Sequence, residues 1–301
     1  MSLKPRFYDF YSLDFNALTA SLGFRYPWRI KMKKVTLVAS LLMAGLCSNA
    51  TYADESLDKA LKSDFRQAKN ASRDVYRHPA ETLRFFGIAP TQTVIELWPG
   101  NGWYSEILGP YLAKEGHYIA ASFETAPATD TPGNRYRANA GTKYAAWMTA
   151  NKDALGNATM ITFDPPYKMD LGADGSADLV LTFRNLHNWA SADQLDNVFA
   201  ASYKVLKDGG IFGVVEHRAN EGMSLSTGYM NQTSMIDLAK KAGFTLVETS
   251  EINANPKDTK DYAKGVWALP PSFGLGDSDK EKYQAIGESD RMTLKFVKKS
   301  S

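Results

Sequence analysis

Residues 94–104 read V-I-E-L-W-P-G-N-G-W-Y, and this stretch decides the fold. A short apolar run that carries one acid, Glu96, breaks into Pro99–Gly102, and a helical stretch, Trp103–Lys114, follows. This order predicts a strand, a tight glycine turn and the start of a helix. Glycines let a ligand approach the backbone closely, and the first turn of a helix has unpaired N–H donors. The stretch therefore predicts a site for a nucleotide-like cofactor.

Two classes of cofactor compete for this turn. The dinucleotide fingerprint is G-x-G-x-x-G, in which the third glycine allows the helix to pack closely on the strand. Here Gly100 and Gly102 are followed by Ser105 where the third glycine belongs. An NAD site is therefore disfavoured, and a strand-turn-helix with a purely structural role stays open.

From Thr93 onward, strands and helices alternate. The predicted strands are Thr93–Leu97, His117–Ser122, Thr159–Phe163, Asp178–Phe183, Ile211–Val215, Phe244–Ile252 and Met292–Val297. The predicted helices are Glu55–Ser72, one after Pro79, Trp103–Lys114, Asn134–Asn151, Ser191–Leu206 with a cap at Asp208-Gly209-Gly210, and Met230–Ala242. This pattern predicts an α/β fold: a Rossmann-like, mostly parallel seven-stranded sheet with helices on both faces.

The two ends of this unit differ from simple alternation. Residues 54–90 are expected to form a helical cover beside the sheet. Residues 253–290 form an insertion with no convincing crossover helix directly before the last strand, so that strand is expected to be antiparallel. The insertion carries Tyr262, Trp267 and Phe273, and we expect it to cover the active site.

Composition limits the partners of the chain. It has 301 residues, of which 44% are hydrophobic, enough for one large domain or two small ones. Residues 1–53 hold seven of the 35 basic residues and two of the 33 acidic ones, which leaves 28 basic and 31 acidic residues after them. The remainder therefore carries a charge of about −3, and we expect no nucleic-acid partner.

The N-terminal region has the pattern of a secretory signal. Basic residues at 31–34 precede an apolar run, Val35–Leu46, and small residues follow up to Ala53. A positive start, a short apolar core and small residues at a cleavage point predict a signal peptide over residues 32–53, cleaved after Ala53 or, second, after Ala50. An uncleaved anchor is the alternative.

This pattern has three consequences. Because a signal peptide starts at the N-terminus, residues 1–31 are expected to be upstream sequence and Met32 the true start. Residues 54–301 are then a single domain, periplasmic or secreted, with no stable membrane association after cleavage. The only cysteine, Cys47, lies inside the signal, so the mature chain would have no disulfide, cysteine metal site or cysteine nucleophile.

Several segments resemble a known family. Residues 96–102 resemble motif I of the class I S-adenosylmethionine-dependent methyltransferases, usually D/E-x-G-x-G-x-G, with Trp98 in place of the first glycine. From about Arg73 to the C-terminus the chain is similar to a family of predicted, often exported, bacterial methyltransferases, whose pattern includes Trp98. The segments that carry this similarity are Arg77–Leu83, Trp98–Tyr104, Arg184–Trp189 and Glu216–Arg218. The resemblance implies a methyltransferase that uses S-adenosylmethionine, and names no acceptor.

The resemblance also implies cofactor-binding residues. Gly100 and Gly102 would shape the turn around the methionine part of the cofactor, and Glu96 would orient this loop or meet the amino group through water. Glu124, after the second strand, would take the ribose hydroxyls. Asp164, after the third strand, would accept the adenine amino group. The other cofactor residues expected from the matching segments are Trp98, Asn101, Tyr104 and Asn185.

Asp164 also begins the string D-P-P-Y, which matches a motif of enzymes that methylate amino groups of nucleic acids. That motif follows the fourth strand in those enzymes, whereas Asp164 follows the third. An exported acidic protein also has little access to DNA. Strand order and charge therefore favour the cofactor role.

Two histidines follow predicted strands four and five, where an acceptor must lie. His187 and His217 are candidate bases that would remove a proton from the attacking hydroxyl or amine. Arg184 and Arg218 would bind an anionic substrate. For each histidine, bracing a loop is an equal alternative. A metal site of His187, Glu216 and His217 lacks helical ligand spacing, so we predict no metal.

These observations predict a methyltransferase acting on a small molecule. Since the cofactor is made in the cytoplasm, export raises an alternative, a nucleoside-binding or scaffold protein without turnover. An NAD-dependent oxidoreductase is a third hypothesis. It is disfavoured by Tyr104 and by the antiparallel hairpin expected at the C-terminal end of the sheet.

Overall fold

The structure is a computed structural model, and it describes residues 55–300. The predicted upstream extension and signal peptide lie outside the described residues. Within the described part of the chain, no helix is both long enough and apolar enough to cross a membrane.

The centre of the fold is a seven-stranded sheet. Its strands are β1 (Thr93–Leu97), β2 (His117–Ser122), β3 (Thr159–Thr162), β4 (Ala177–Phe183), β5 (Leu206–His217), β6 (Phe244–Ser250) and β7 (Arg291–Lys298). They lie in the order β3-β2-β1-β4-β5-β7-β6. β7 pairs antiparallel with both β5 and β6, while the pairs from β3 to β5 are parallel. The predicted mostly parallel sheet with an antiparallel C-terminal strand is confirmed.

Helices connect and cover these strands. Residues 55–61 form helix α1. The helices after it are α2 (Ala68–Ala71), α3 (Asp74–Arg77), α4 (Pro79–Phe86), α5 (Ser105–Leu112), α6 (Pro132–Ala150), α7 (Lys152–Leu155), α8 (Leu186–Ser191), α9 (Leu195–Val205), α10 (Gln232–Lys241) and α11 (Lys280–Ile286). Short 3-10 turns occupy Leu225–Thr227 and Gly265–Ala268.

The sheet separates two apolar layers, because neighbouring side chains of a strand point to opposite faces. Val94 packs with Leu83 of α4 in one layer, and Ile95 packs with Phe199 of α9 in the other. All four side chains are fully buried. Each contributes roughly 1.5–3 kcal/mol of burial free energy, so the residue pattern of β1 fixes which helices lie on which face.

Two helix predictions were wrong. The single helix expected over Glu55–Ser72 is interrupted between α1 and α2, where the Ser63 hydroxyl accepts from the Phe65 amide (3.2 Å) and the Arg66 guanidinium donates to the Leu61 carbonyl (3.2 Å). The cap expected at residues 208–210 belongs to β5, because Leu206 turns extended and pairs with Ala177.

Candidate active site

A cavity of about 840 Å³ opens at the carboxyl ends of β1, β4 and β5, and we call it the central cavity. Its walls come from the N-terminal cover, the loop after β1, α6, the loop after β4 and the insertion before β7. Trp267 of the insertion lines it, as expected, whereas Tyr262 and Phe273 pack together inside the insertion. The cover also reaches the cavity, through Lys69 and Asn70.

The loop after β1 presents its backbone to this cavity. Gly100 and Gly102 have φ values of 60° and 78°, a left-handed conformation that favours glycine. A Cβ at Gly100 would meet no atom within 4 Å. The amide N–H groups of Gly100, Asn101 and Tyr104 donate to no acceptor within residues 55–300, and all three residues line the cavity. Unpaired donors before helix α5 suit a carboxylate.

Glu96 lies beneath this loop and lines the cavity. Its Oε2 accepts from the Tyr118 hydroxyl (2.5 Å) and the Ser105 hydroxyl (3.3 Å). Burial raises the pKa of Glu96 to about 7, although these two hydrogen bonds act in the opposite direction. Its Oε1 accepts no hydrogen bond from the described part of the chain. That oxygen suits a ligand ammonium group.

Trp98 stands where motif I usually has its first glycine. Its φ of 50° is left-handed, which is uncommon for a residue with a bulky side chain. The indole lies 4.8 Å from the Phe123 ring and 4.5 Å from the Trp189 ring, and its Nε1 donates to the Phe163 carbonyl (2.7 Å). Trp98 therefore contacts the residues that follow β2 and β3, and it forms part of the cavity wall.

Two of the predicted nucleoside-binding residues lie outside the cavity lining. Glu124 forms an ion pair with Lys168 and accepts from the Ala126 amide (2.8 Å). The Lys168 ammonium lowers the pKa of Glu124. Asp164 is held near them by its amide, which donates to the Lys168 carbonyl (2.7 Å). The ribose and adenine contacts of Glu124 and Asp164 therefore stay predictions.

The cofactor implied by motif I fits this site at its amino-acid end. The free loop amides and the open face of Gly100 suit a carboxylate, and Glu96 suits an amino group. Gly102 shapes the turn without lining the cavity, since its amide donates to the Pro99 carbonyl (3.0 Å). Asn185 lines the cavity, yet its Nδ2 donates to protein carbonyls, those of Leu97 (3.0 Å) and Trp98 (3.1 Å).

The two candidate bases lie side by side, with ring centroids 5.3 Å apart, and both line the cavity. His187 Nδ1 lies 3.1 Å from Glu216 Oε1. Because this carboxylate also accepts from the Leu186 amide (2.6 Å) and the His217 amide (2.8 Å), it fixes the proton on His187 Nδ1. His187 Nε2 is then free to accept a proton.

His217 has a different environment. Its Nδ1 lies 2.5 Å from the Ser289 hydroxyl. Burial lowers the pKa of His217 well below its usual value, and the positive charges of Arg184, Arg291 and Arg77 lower it further. His217 is therefore neutral near pH 7 and a weaker base than a histidine paired with a carboxylate.

His187, Glu216 and His217 also offer ligand atoms that all lie within 4.8 Å of one another, close enough to hold a metal ion. The sequence predicted no metal here. The oxygens of Glu216 already accept three hydrogen bonds, and the nearby arginines oppose a further cation. The geometry permits a metal ion, but the surrounding charge favours an anion.

Arg184 and Arg218 have different surroundings, although both were predicted to bind an anion. Arg218 is engaged by Glu251 (2.7 Å) and Asp290 (2.9 Å) and is not part of the cavity lining, so the prediction for Arg218 was wrong. Arg184 lines the cavity. The two arginines could not be separated by sequence, because the partners of Arg218 come from distant segments.

Several candidate functional residues have no clear signal in the sequence or were given another role. Glu216 was considered only as a metal ligand, and Arg73 and Arg77 were not assigned to the site, although both line the cavity. Their i, i+4 spacing would have placed both on one helix face. Glu288 of the insertion carried no sequence signal for its contact with them.

Comparisons with known proteins support the fold. No protein-family model matches the sequence, and no curated protein matches it either. Phospholethanolamine N-methyltransferase 2 of Haemonchus contortus, solved with phosphomonomethylethanolamine and S-adenosylhomocysteine, is similar with a TM-score of 0.52 and 16% identity, over 81% of this chain and 57% of that one. The [4+2]-cyclase SpnF is similar with a TM-score of 0.51 and 15% identity, over 80% of this chain and 86% of that one. This chain therefore has the Rossmann-like fold of the class I S-adenosylmethionine-dependent methyltransferases.

Proposed function

We propose that this chain is an S-adenosylmethionine-dependent methyltransferase that acts on a small-molecule acceptor. One observation carries the proposal: the free backbone donors of the glycine loop and the free oxygen of Glu96 meet at one cavity, beside a histidine oriented by a carboxylate. That combination offers places for an amino acid's two charged groups and for a proton acceptor.

The residues of this loop would hold the cofactor by its amino-acid end. The amides of Gly100, Asn101 and Tyr104 would donate to the carboxylate, and ionised Glu96 would accept from the amino group. The bound cofactor supplies an electrophilic methyl group on a sulfonium. The chain contributes alignment, since two reactants fixed in one cavity react far faster than free ones.

His187 is the residue we assign to proton removal. Its Nδ1 proton is held by Glu216, so Nε2 accepts the proton that the acceptor's hydroxyl or amine loses on attack. His217 lies beside it and is neutral, so it adds no charge next to the proton that His187 accepts. Glu216 acts through His187 and is a positioning residue.

One observation favours a second candidate, a nucleoside-binding or scaffold protein without turnover. Trp98 lies between the glycine loop and the segments that hold Glu124 and Asp164. At this position the loop departs from motif I, which usually has a glycine there. The SpnF comparison adds that this fold also occurs in a protein described as a [4+2]-cyclase.

Calorimetry on the full chain tests the proposal. Wild type should bind S-adenosylhomocysteine, and Gly100→Ala, which places a Cβ in the open part of the loop, should bind it about tenfold more weakly. Gly222→Ala is the matched control, because Gly222 has a similar φ of 73° and open space around its Cβ, outside the cavity lining. Both substitutions carry the same backbone strain, roughly 1 kcal/mol.

Three results would count against the proposal. Binding of NAD without S-adenosylhomocysteine would indicate an oxidoreductase. Equal effects of the two glycine substitutions would remove the loop from the site. Binding without methyl transfer to a broad panel of acceptors would favour the silent alternative.

We also propose that the chain is exported, with a small-molecule partner and no nucleic acid. Support comes from the basic start, the apolar run and the small residues up to Ala53, and from the acidic balance of residues 54–301. N-terminal sequencing of the product from a periplasmic fraction should begin at Asp54. A cytoplasmic product that begins before Met32 would contradict export and the assigned start.

A further inference from the structure

Four arginines surround one carboxylate at a wall of the central cavity, and we call them the arginine cluster. Three donate to Glu288: Arg73 through Nε (2.7 Å), Arg77 through Nε (3.0 Å) and Arg291 through Nη1 (3.2 Å). The fourth, Arg184, lines the cavity, and its guanidinium makes no hydrogen bond or ion pair with any residue from 55 to 300. One member of the cluster is therefore free to bind a ligand.

The charges of this cluster do not balance. Burial raises the pKa of Glu288, but the four guanidinium groups outweigh burial and lower it to about 2. Glu288 is therefore ionised, and its single negative charge faces four positive ones. Counting Glu216, which binds His187, still leaves an excess of two positive charges. Arg77 and Arg291 are each only 2% exposed, so water screens this excess poorly.

Two lysines add to the excess of positive charge at the cavity. Lys69 and Lys143 also line the cavity, whose only acids are Glu96 and Glu288 among the described residues. Glu96 is itself half neutral near pH 7, because burial raises its pKa to about 7. Buried charge without a partner is unfavourable by several kcal/mol, so an anionic group beside the arginine cluster would be stabilised and a cationic group beside it opposed.

The backbone at Arg184 is fixed in an uncommon conformation. Its φ is 61°, in the left-handed region, and its amide donates to the Val215 carbonyl of β5 at 2.7 Å. A residue with a side chain holds this conformation at a cost of about 1–2 kcal/mol, and of the non-glycine residues that do so here, Trp98 and Arg184 line the cavity. Arg184 comes directly after β4, and its side chain lines the cavity.

The strand order separates this position from the predicted nucleoside contacts. Glu124 and Asp164 follow β2 and β3, which lie on one side of β1, whereas Arg184 and His187 follow β4 on the other side. A cofactor that extends from the β1 loop toward β2 and β3 leaves the β4 side to the acceptor. The free guanidinium and the candidate base therefore share the acceptor half of the site.

We propose that Arg184 binds a carboxylate or phosphate group of the methyl acceptor and presents the acceptor's hydroxyl or amine to His187. This inference rests on the proposed function. A guanidinium matches the two oxygens of either anion with parallel N–H donors, which a lysine cannot do. The acceptor class is then small organic anions that carry a methylatable oxygen or nitrogen.

The test titrates inorganic phosphate into the full chain by calorimetry in a chloride-poor buffer, with and without saturating S-adenosylhomocysteine. Wild type should bind phosphate, and Arg184→Met should weaken binding at least tenfold. The phosphate affinity of Arg184→Lys should lie between those of wild type and Arg184→Met, since lysine keeps the positive charge but loses the two parallel N–H donors. Arg135→Met is the matched control, because Arg135 pairs with Asp130 at the surface and lies outside the cavity lining. Circular dichroism of each variant reports folding.

The outcomes separate the claims. Phosphate binding that depends on Arg184 and persists with S-adenosylhomocysteine present supports the proposal. Competition between the two ligands would show that the anion is the cofactor's own carboxylate, which overturns the acceptor assignment. Absence of phosphate binding to folded wild type, or equal binding to Arg184→Met, also overturns it. Failure of S-adenosylhomocysteine to bind would instead refute the proposed function. The phosphate titration without S-adenosylhomocysteine still reports on the anion site, so the two failures can be distinguished.

Discussion

The side-chain amide of Asn185 holds the backbone of Trp98: its Nδ2 donates to the Trp98 carbonyl at 3.1 Å and to the neighbouring Leu97 carbonyl at 3.0 Å. Asn185 follows β4 and Trp98 follows β1, so these bonds join the two loops that form the floor of the cavity. Trp98 and Arg184 both have left-handed backbones next to this link. The amide thus stabilises two uncommon conformations together.

Asn185→Ala should destabilise the protein. Two carbonyl groups near the cavity would each lose a donor, and each such hydrogen bond contributes about 0.5–1.5 kcal/mol. We expect the free energy of unfolding in urea to fall by about 1–2 kcal/mol. Asn188→Ala is the control, because Asn188 lies on α8 and is exposed. Equal losses in the two variants would contradict this role for Asn185.

Glu96 should make stability fall as pH rises. Its pKa is about 7 in the folded chain and 4.5 ordinarily, so the native state binds more protons between these pH values. Stability then decreases from pH 4.5 to pH 7, by about 3 kcal/mol. In urea titrations, the free energy of unfolding of wild type relative to Glu96→Gln should fall by about 3 kcal/mol between pH 4.5 and pH 7.

Glu248→Gln, which changes an exposed acid, serves as the control for Glu96 and should leave the pH dependence of wild type intact. A difference between wild type and Glu96→Gln that does not vary with pH would show that folding leaves the pKa of Glu96 unchanged, which contradicts the burial argument.

His217 should stay neutral in mildly acidic solution. Burial, followed by His187 and Arg184, lowers its pKa well below the usual value. Its NMR ring-proton shifts should therefore change little between pH 8 and pH 5.5. Because the unfolded chain takes up this proton near pH 6.5, His217 makes the protein less stable as pH falls below that value. Arg184→Met should raise the pH at the midpoint of the His217 titration, because it removes one of the charges that lower this pKa. A normal titration of His217 in wild type would refute the burial argument.

The sequence predicted the fold from local patterns, and most of them held. Alternating apolar runs placed β1, β2 and β4 to within a residue, because buried parallel strands have a strong local pattern. Residues 62–67 and 208–210 were misassigned, since local side-chain hydrogen bonds in the first segment and strand pairing beside the second override helical periodicity. The short helix α11 was missed because its stability depends on packing inside the insertion.

The candidate site was predictable only where it follows strand ends. His187, His217 and Arg184 were singled out because the carboxyl ends of β4 and β5 meet at one edge. The contacts of Glu288 with Arg73 and Arg77 join segments more than 200 residues apart, which no local pattern reveals. The ion pairs that remove Arg218 from the site span 33 and 72 residues, which is also beyond any local pattern.

Glu216→Gln should change the tautomer of His187, although Glu216 itself does not line the cavity. The Gln amide keeps one acceptor oxygen and replaces the other with a donor, so either the Leu186 amide, or the His217 amide and His187 Nδ1 together, lose their acceptor. We expect a loss of about 1–3 kcal/mol in stability and a shift of the proton from Nδ1 toward Nε2 of His187. Nitrogen-15 NMR reads the tautomer directly. Glu221→Gln, an exposed change, should leave the tautomer as in wild type. An unchanged tautomer together with unchanged stability in Glu216→Gln would remove Glu216 as the positioning residue.

The most direct measurement compares two nucleosides by calorimetry on the full chain at pH 8. S-adenosylhomocysteine carries the amino-acid end that the loop amides and Glu96 are assigned to bind, and 5′-methylthioadenosine lacks it. Two lost charge-assisted contacts, each about 1.5 kcal/mol, predict about 100-fold weaker binding of 5′-methylthioadenosine. Equal affinities, or binding of neither nucleoside, would contradict the assignment of the glycine loop as the cofactor site.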